Sequence, residues 1–209
     1  MDKSEQAVSV FNKHAGLYQE KFMDVNLYGN TFDLFCESIK NENAEILELA
    51  CGPGNITRYL LNKRPGFKIL GTDLSENMIA LAKSNNPTAE FRILDCRKIG
   101  GLTKKYDAIM CGFCLPYLAK EETIQLIADA SDLLRPGGIF YLSTMEDDYS
   151  KSGYRKGSTG DEIFMHYYRE DLLSDILQKN DFMIIKTVRI DSVMTEGTKV
   201  CDLVIIAKK

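Results

Sequence analysis

Residues 48–55, ELACGPGN, place a carboxylate, Glu48, just ahead of a turn built almost wholly from small residues. Gly52 and Gly54 keep side chains off the backbone, Pro53 stiffens the turn between them, and Ala50 and Cys51 add little bulk. Such a turn lets a flat or bulky ligand rest against main chain and leaves its amides free to donate. Asp73 stands nineteen positions after Gly54, where the strand-like run ILGTD ends. A carboxylate there is placed to accept hydrogen bonds from both hydroxyls of a ribose, each contributing roughly 1.5–3 kcal/mol. Turn and carboxylate together point to a nucleoside-containing cofactor. Glu48 divides the candidates, because its charge would repel the diphosphate of a dinucleotide but neutralise an ammonium or sulfonium. Ile56 and Thr57 occupy the region where a dinucleotide fingerprint needs its third small residue. A nicotinamide cofactor is therefore the second reading. Each acid also has a plainer role open to it: Asp73 as a helix cap, Glu48 as a buried carboxylate bonded to nearby amides.

The elements that must hold these residues follow from the hydrophobic pattern. Residues 4–40 are helical in character, with apolar positions spaced three and four apart. From AEILELA onward, strand-like runs (FKILGTD, AEFRILD, YDAIMCGF, GGIFYLST) alternate with helical ones (NITRYLLNK, SENMIALAKS, KEETIQLIADASDLL). That alternation predicts parallel crossover units, an α/β doubly wound sheet with helices on both faces. After the helix REDLLSDILQ, Asn180 suits a left-handed cap. The strands FMIIKTVRI and KVCDLVIIAKK are separated only by DSVMTEGT, too short a link for a crossover, so they are expected to pair antiparallel. In doubly wound sheets ligands bind beyond the carboxyl ends of the strands, where the strand order reverses, and ACGPGN is the first such turn.

The rest of the composition narrows the partners. The chain has 209 residues, enough for one domain with a full core, and a net charge of −4, which disfavours nucleic acid and anionic membrane surfaces. No stretch resembles a signal peptide or a membrane span, and the expected location is the cytoplasm. Six scattered cysteines are expected as free thiols. Cys111 and Cys114 form a C-x-x-C, but with no second such pair and only His14 and His166 elsewhere, no metal site is expected.

EILELACGPGNITRYL, ILGTDLSENMIALAK, FRILDCRKI, YDAIMCGFCLPYL and LLRPGGIFYLST, in order over residues 45–144, resemble the successive motifs of the class I S-adenosylmethionine-dependent methyltransferases. Ala50 takes the place of the family's first glycine. The resemblance implies a Rossmann-like seven-stranded sheet, with one reversed strand near its C-terminal end, that binds S-adenosylmethionine and releases S-adenosylhomocysteine. It further implies that Glu48 and the backbone of Ala50, Cys51, Gly52, Pro53 and Gly54 hold the methionine portion, and that Asp73 holds the ribose. Leu74 and Met78 would pack beside the adenine, with Asp95 and Cys96 at its amino edge and ring. Cys111, Gly112 and Phe113 would lie near the methyl group.

Methyl transfer is an in-line displacement on an already reactive sulfonium, so alignment of the acceptor and exclusion of water carry most of the catalysis. Residues 1–42, with His14, Tyr18 and Phe22, are expected to cover the cofactor. Residues 145–168, loop-like and rich in aromatics, are expected to form a substrate-side insert, with Tyr149, Phe164 and Tyr167 joined by Tyr117. A surface hairpin packing its aromatics on the sheet edge is the plainer reading. His166 is the candidate general base, since histidine titrates near neutral pH. The Asn/Asp-Pro-Pro-aromatic signature of methyltransferases acting on nucleobase or glutamine amino groups is absent. The acceptor is therefore expected to be an oxygen, nitrogen or carbon atom of a small molecule. A cofactor-binding protein without catalysis is the third reading.

Overall fold

The computed structural model describes residues 2–157, 159–193 and 199–209. Helices α1 (Lys3–Lys13), α2 (Ala15–Phe22) and α3 (Gly29–Ser38) come first. Asp2 caps α1 by accepting from the Ser4 amide. The alternation then runs β1 (Glu45–Leu49), α4 (Asn55–Lys63), β2 (Lys68–Asp73), α5 (Glu76–Asn85), β3 (Glu90–Ile93), β4 (Tyr106–Cys111), α6 (Lys120–Leu133) and β5 (Leu134–Met145). A small hairpin of β6 (Gly153–Lys156) and β7 (Glu162–Met165) precedes α7 (Glu170–Lys179), β8 (Met183–Val193) and β9 (Lys199–Lys208).

Seven strands form the main sheet in the order β3-β2-β1-β4-β5-β9-β8. β9 alone runs against its neighbours, pairing antiparallel with both β5 and β8. β1 lies between β2 and β4, so the strand order reverses there, and the turns leaving β1 and β4 open side by side at the carboxyl edge. Side chains alternate between two cores, as the pleat demands. Leu47, Leu49, Ile109, Leu142 and Ile205 pack on one face with α6 and α7. Ile46, Met110, Tyr141 and Ile206 pack on the other with Phe32 and Phe35 of α3 and Leu60 of α4. Glu48 follows the parity of Ile46, which sends a carboxylate into an otherwise apolar layer.

Three expectations change in detail. The left-handed residue after α7 is Asp181 (φ 62°), not Asn180 (φ −105°). Asn180 Nδ2 instead donates to the Ile176 carbonyl at 2.8 Å, closing the helix end by a side-chain bond. Within the supposed loop 145–168, β6 and β7 pair antiparallel from Gly153↔Met165 to Lys156↔Glu162. Of the link 191–198, residues 191–193 extend β8, and 194–198 lie outside the described residues.

Candidate active site at the strand-order reversal

The turn after β1 is zipped onto the end of β2. The Cys51 amide donates to the Thr72 carbonyl at 2.9 Å, and the Gly52 amide donates to Asp73 Oδ2 at 2.9 Å. Ala50 (φ 51°), Gly52 (φ 53°) and Gly54 (φ 77°) are all left-handed. Ala50 and Gly52 line a cavity at the carboxyl edge, and a Cβ on Gly52 would face the Tyr18 ring at 3.7 Å. Gly54 is a different case and corrects the expectation that a ligand demands its bareness. It caps α4, does not line the cavity, and a Cβ there would fall 2.3 Å from Asn86 Nδ2 and 3.3 Å from Ala82. Packing of α5 requires that glycine. Cys51 and Pro53 do not line the cavity either, and Cys51 is buried in the small cluster with Phe91.

Ala50 holds a conformation that costs an L-residue roughly 1–2 kcal/mol, partly offset by the ~0.5–1 kcal/mol that glycine loses in backbone entropy on folding. Ala50→Gly is therefore expected to raise stability by up to about 1 kcal/mol, read as a higher urea midpoint at unchanged slope. A midpoint lowered by a comparable amount would refute strain at this position.

Three carboxylates serve the site differently. Asp73 Oδ1 accepts from the Ser75 amide at 2.8 Å while Oδ2 holds Gly52. Burial raises the Asp73 pKa against the lowering effect of these amides. The α5 cap is Ser75, whose Oγ accepts from the Met78 amide at 3.1 Å, so the capping role does not fall to Asp73. A carboxylate offers about four acceptor positions, so acceptor capacity remains toward the cavity that Asp73 lines. Asp95 also lines it, but Arg97 chelates its two oxygens through Nε and Nη at 2.8–3.0 Å. Glu48 lies behind the turn rather than on the cavity wall. It is 1% exposed, its Oε2 accepts from Thr57 Oγ1 at 2.5 Å, and Oε1 has no partner. Burial pushes its pKa up to about 7.

The roof is α1. Ser4, Ala7, Val8 and Phe11 line the cavity from one helix face. The helix is pinned at both ends. Asp2 pairs with Arg97, whose guanidinium also meets Glu122, and Ser4 Oγ donates to the Tyr117 carbonyl at 2.8 Å. At the far end Asn12 Oδ1 accepts from Ser75 Oγ and the Asn77 amide, while His14 Nε2 and Asp161 Oδ2 lie 2.7 Å apart. The spacing of Ala7, Val8 and Phe11 marks an apolar face but does not say what it covers, so sequence reasoning missed these residues and Arg97. Tyr18 and Tyr117 close the rest, each edge-on to Phe11 at 5.7 and 5.1 Å. Burial and the Asp73 charge push the Tyr18 hydroxyl up to about 12.

Leu74, Met78, Cys96, Gly112 and Phe113 line the cavity, whereas Cys111 is buried as the last residue of β4. The substrate-side expectations are corrected for the insert. His166, Tyr149, Phe164 and Tyr167 do not line the cavity. β7 packs against the side of α1, where Lys3 Nζ sits 3.5 Å from the centre of the Phe164 ring. Tyr149 stacks on His166, and Tyr167 faces Arg155. The hairpin supports the roof from outside. His166 is 6% exposed with Nδ1 unpartnered, and burial lowers its pKa, aided by the Lys3 charge. Among the described residues no group of three His, Cys, Asp or Glu could hold a metal ion, and no helix is long and apolar enough to cross a membrane.

Residues 46–138 match the family model described as a methyltransferase domain. A trans-aconitate 2-methyltransferase of Variovorax paradoxus is 34% identical over 114 residues, 54% of this chain and 43% of that protein. The chain thus spans less than half the length of that curated relative. An uncharacterized methyltransferase of Oceanobacillus iheyensis is 26% identical over 87% of this chain and 84% of its own length. Among solved structures, the Synechocystis magnesium protoporphyrin IX methyltransferase with bound S-adenosylmethionine superposes with a TM-score of 0.72 at 18% identity, covering 100% of this chain and 98% of that one. A complex of DhpI with S-adenosylhomocysteine gives 0.75 at 18% identity, covering 99% and 96%.

Proposed function

We propose that the chain is a class I S-adenosylmethionine-dependent methyltransferase and that it methylates a small, weakly charged organic acceptor in the cytoplasm. The family's cofactor is S-adenosylmethionine, which when bound supplies a methyl group on a sulfonium and leaves as S-adenosylhomocysteine. The residues present suit that group. A buried carboxylate oxygen of Glu48 without a partner sits behind a turn whose lining residues, Ala50 and Gly52, carry almost no side chain. Asp73 retains acceptor capacity for ribose hydroxyls, and Leu74, Met78 and Leu94 supply apolar surface for a purine.

In this reading Glu48 opposes a positive charge across the turn, and Asp73 fixes the sugar while holding the Gly52 amide in place. α1 excludes water, which strengthens every charge interaction beneath it. Phe113, Tyr18 and Tyr117 wall the acceptor end and orient the incoming nucleophile. His166 is not proposed as the base, because Tyr149 and Phe164 enclose its ring away from the cavity.

The charge inventory carries the choice of acceptor. Arg97 is the one Lys or Arg among the described cavity-lining residues, and Asp2, Asp95 and Glu122 already occupy it. The Variovorax relative acts, by its name, on trans-aconitate, a polyacid that would find no available cation here. Neutral hydroxyl, amine or carbon acids fit the aromatic wall better. The acidic chain and the missing amino-group signature argue against DNA, RNA or protein-glutamine substrates.

Calorimetry with S-adenosylhomocysteine and with NAD tests the cofactor. Binding of the first alone is expected, and binding of NAD alone would overturn the reading. Incubation with methyl-labelled cofactor and fractionated metabolites tests the transfer. Label is expected in weakly charged compounds. Label confined to polyacids would reject the charge argument, and product-like binding with no labelled compound would mark a non-catalytic binder.

A further inference from the structure

Cys96 follows β3 and Cys114 follows β4, yet their sulfurs lie 3.4 Å apart, both in the cavity wall. The Cys114 thiol also contacts that of Cys111, so three thiols converge where the two loops meet. A buried cysteine behaves as a small hydrophobe, and the Cys114 thiol donates to the Cys96 sulfur, which holds the pair together. Methyl transfer as proposed above uses none of them.

We propose that Cys96 and Cys114 form a reversible dithiol–disulfide pair, oxidised by hydrogen peroxide, whose disulfide form shuts the cavity to its nucleoside ligand; the second half rests on the cofactor reading. Cys96 is partly exposed and Cys114 is 3% exposed, so the peroxide meets Cys96 first. The Cys96 sulfur attacks one peroxide oxygen, the O–O bond breaks, and the Cys96 thiol proton leaves with the second oxygen as water, giving a sulfenic acid. The Cys114 sulfur then attacks the Cys96 sulfur, and the sulfenic hydroxyl leaves with the Cys114 proton as a second water. Two thiols lose two electrons and one peroxide gains them.

Forming the bond takes the sulfurs from 3.4 Å to about 2.05 Å, about 1.4 Å closer, which pulls on the two loops that carry them. Leu94, two residues before Cys96, and Leu118, four after Cys114, line the same cavity and would be carried with them. Contact with a neighbouring thiol (Cys114 for Cys96, Cys111 for Cys114) and burial push both thiols up, so both stay protonated at neutral pH and the pair responds slowly, to sustained peroxide. A ligand that fits only the reduced cavity must by linkage also protect the pair from oxidation.

The test treats the full chain with hydrogen peroxide, digests it without reductant and maps cross-linked peptides by fragmentation. The expected result is one species about 2 Da lighter joining Cys96 to Cys114, formed more slowly when S-adenosylhomocysteine is present. S-adenosylhomocysteine should bind the oxidised protein about tenfold or more weakly by calorimetry, with dithiothreitol restoring the affinity. In Cys114→Ser, peroxide should change the affinity by less than about twofold, whatever the starting value of that variant. A bond joining Cys111 to Cys114, no bond at all, or a Cys96–Cys114 bond with unaltered affinity would overturn the proposal. If the reduced protein takes no S-adenosylhomocysteine, the cofactor reading falls with the gating half, and the peptide map alone decides whether the pair closes.

Discussion

Asp73→Ala is expected to weaken S-adenosylhomocysteine binding by about tenfold at the least, and by about a hundredfold or more if both ribose hydroxyls depend on it, since each charge-assisted bond contributes roughly 1.5–3 kcal/mol. The variant loses more than a ligand contact. Asp73 Oδ2 also holds the Gly52 amide at 2.9 Å, and Oδ1 holds Ser75 at 2.8 Å, so the turn loosens from the end of β2. Asp73→Asn separates the two effects, because one amide oxygen can still accept from Gly52 while the charge is gone. Calorimetry on both variants, with urea unfolding as the control, reads the outcome. Alanine with wild-type affinity would show that the ribose is held elsewhere. Asparagine matching alanine in stability would show that the clamp needs the charge.

Glu48→Gln carries the second large effect, seen in the pH dependence of stability. The Glu48 pKa stands near 7 in the folded chain against an ordinary 4.5, with burial as the main cause. Between those values the folded state keeps a proton that the unfolded state has lost, so stability falls as pH rises and levels off above about 7. The difference amounts to about 3 kcal/mol across that window, one pKa unit being 1.36 kcal/mol. Glutamine cannot ionise, so the stability of the variant relative to wild type should climb by about 3 kcal/mol between about pH 4.5 and pH 8. Thr57 Oγ1 can still donate to the glutamine oxygen, which keeps the comparison local. Parallel curves for the two proteins would mean that Glu48 is already ionised in the empty site. The variant should also bind S-adenosylhomocysteine more weakly, since a carboxylate held at a cost to stability is what a cationic ligand relieves.

Much of this architecture was legible in the residues. NITRYLLNK became α4 residue for residue. The short link before the last strand forced an antiparallel partner because a few residues cannot cross a sheet. Glu48, the small-residue turn and Asp73 met because β1 and β2 are adjacent parallel strands, and the alternating pattern implied that adjacency. Other features had no local signal. Gly52 and Gly54 look alike in the chain, both left-handed, yet one faces the cavity and the other makes room for Asn86, which lies thirty-two residues away. Which helix face roofs the site, and that the 153–165 hairpin braces α1 instead of lining the cavity, depended on contacts between distant segments. The aromatic content of that hairpin suited either place. His166 was chosen for its chemistry, and only tertiary packing could show that its ring is enclosed. The approach of Cys96 to Cys114 is of the same kind, arising from two loops that neighbouring crossovers deliver to one edge. Spacing along the chain determines which strands and turns exist and where their ends open. The direction in which a side chain faces there is decided by what the rest of the molecule packs against it.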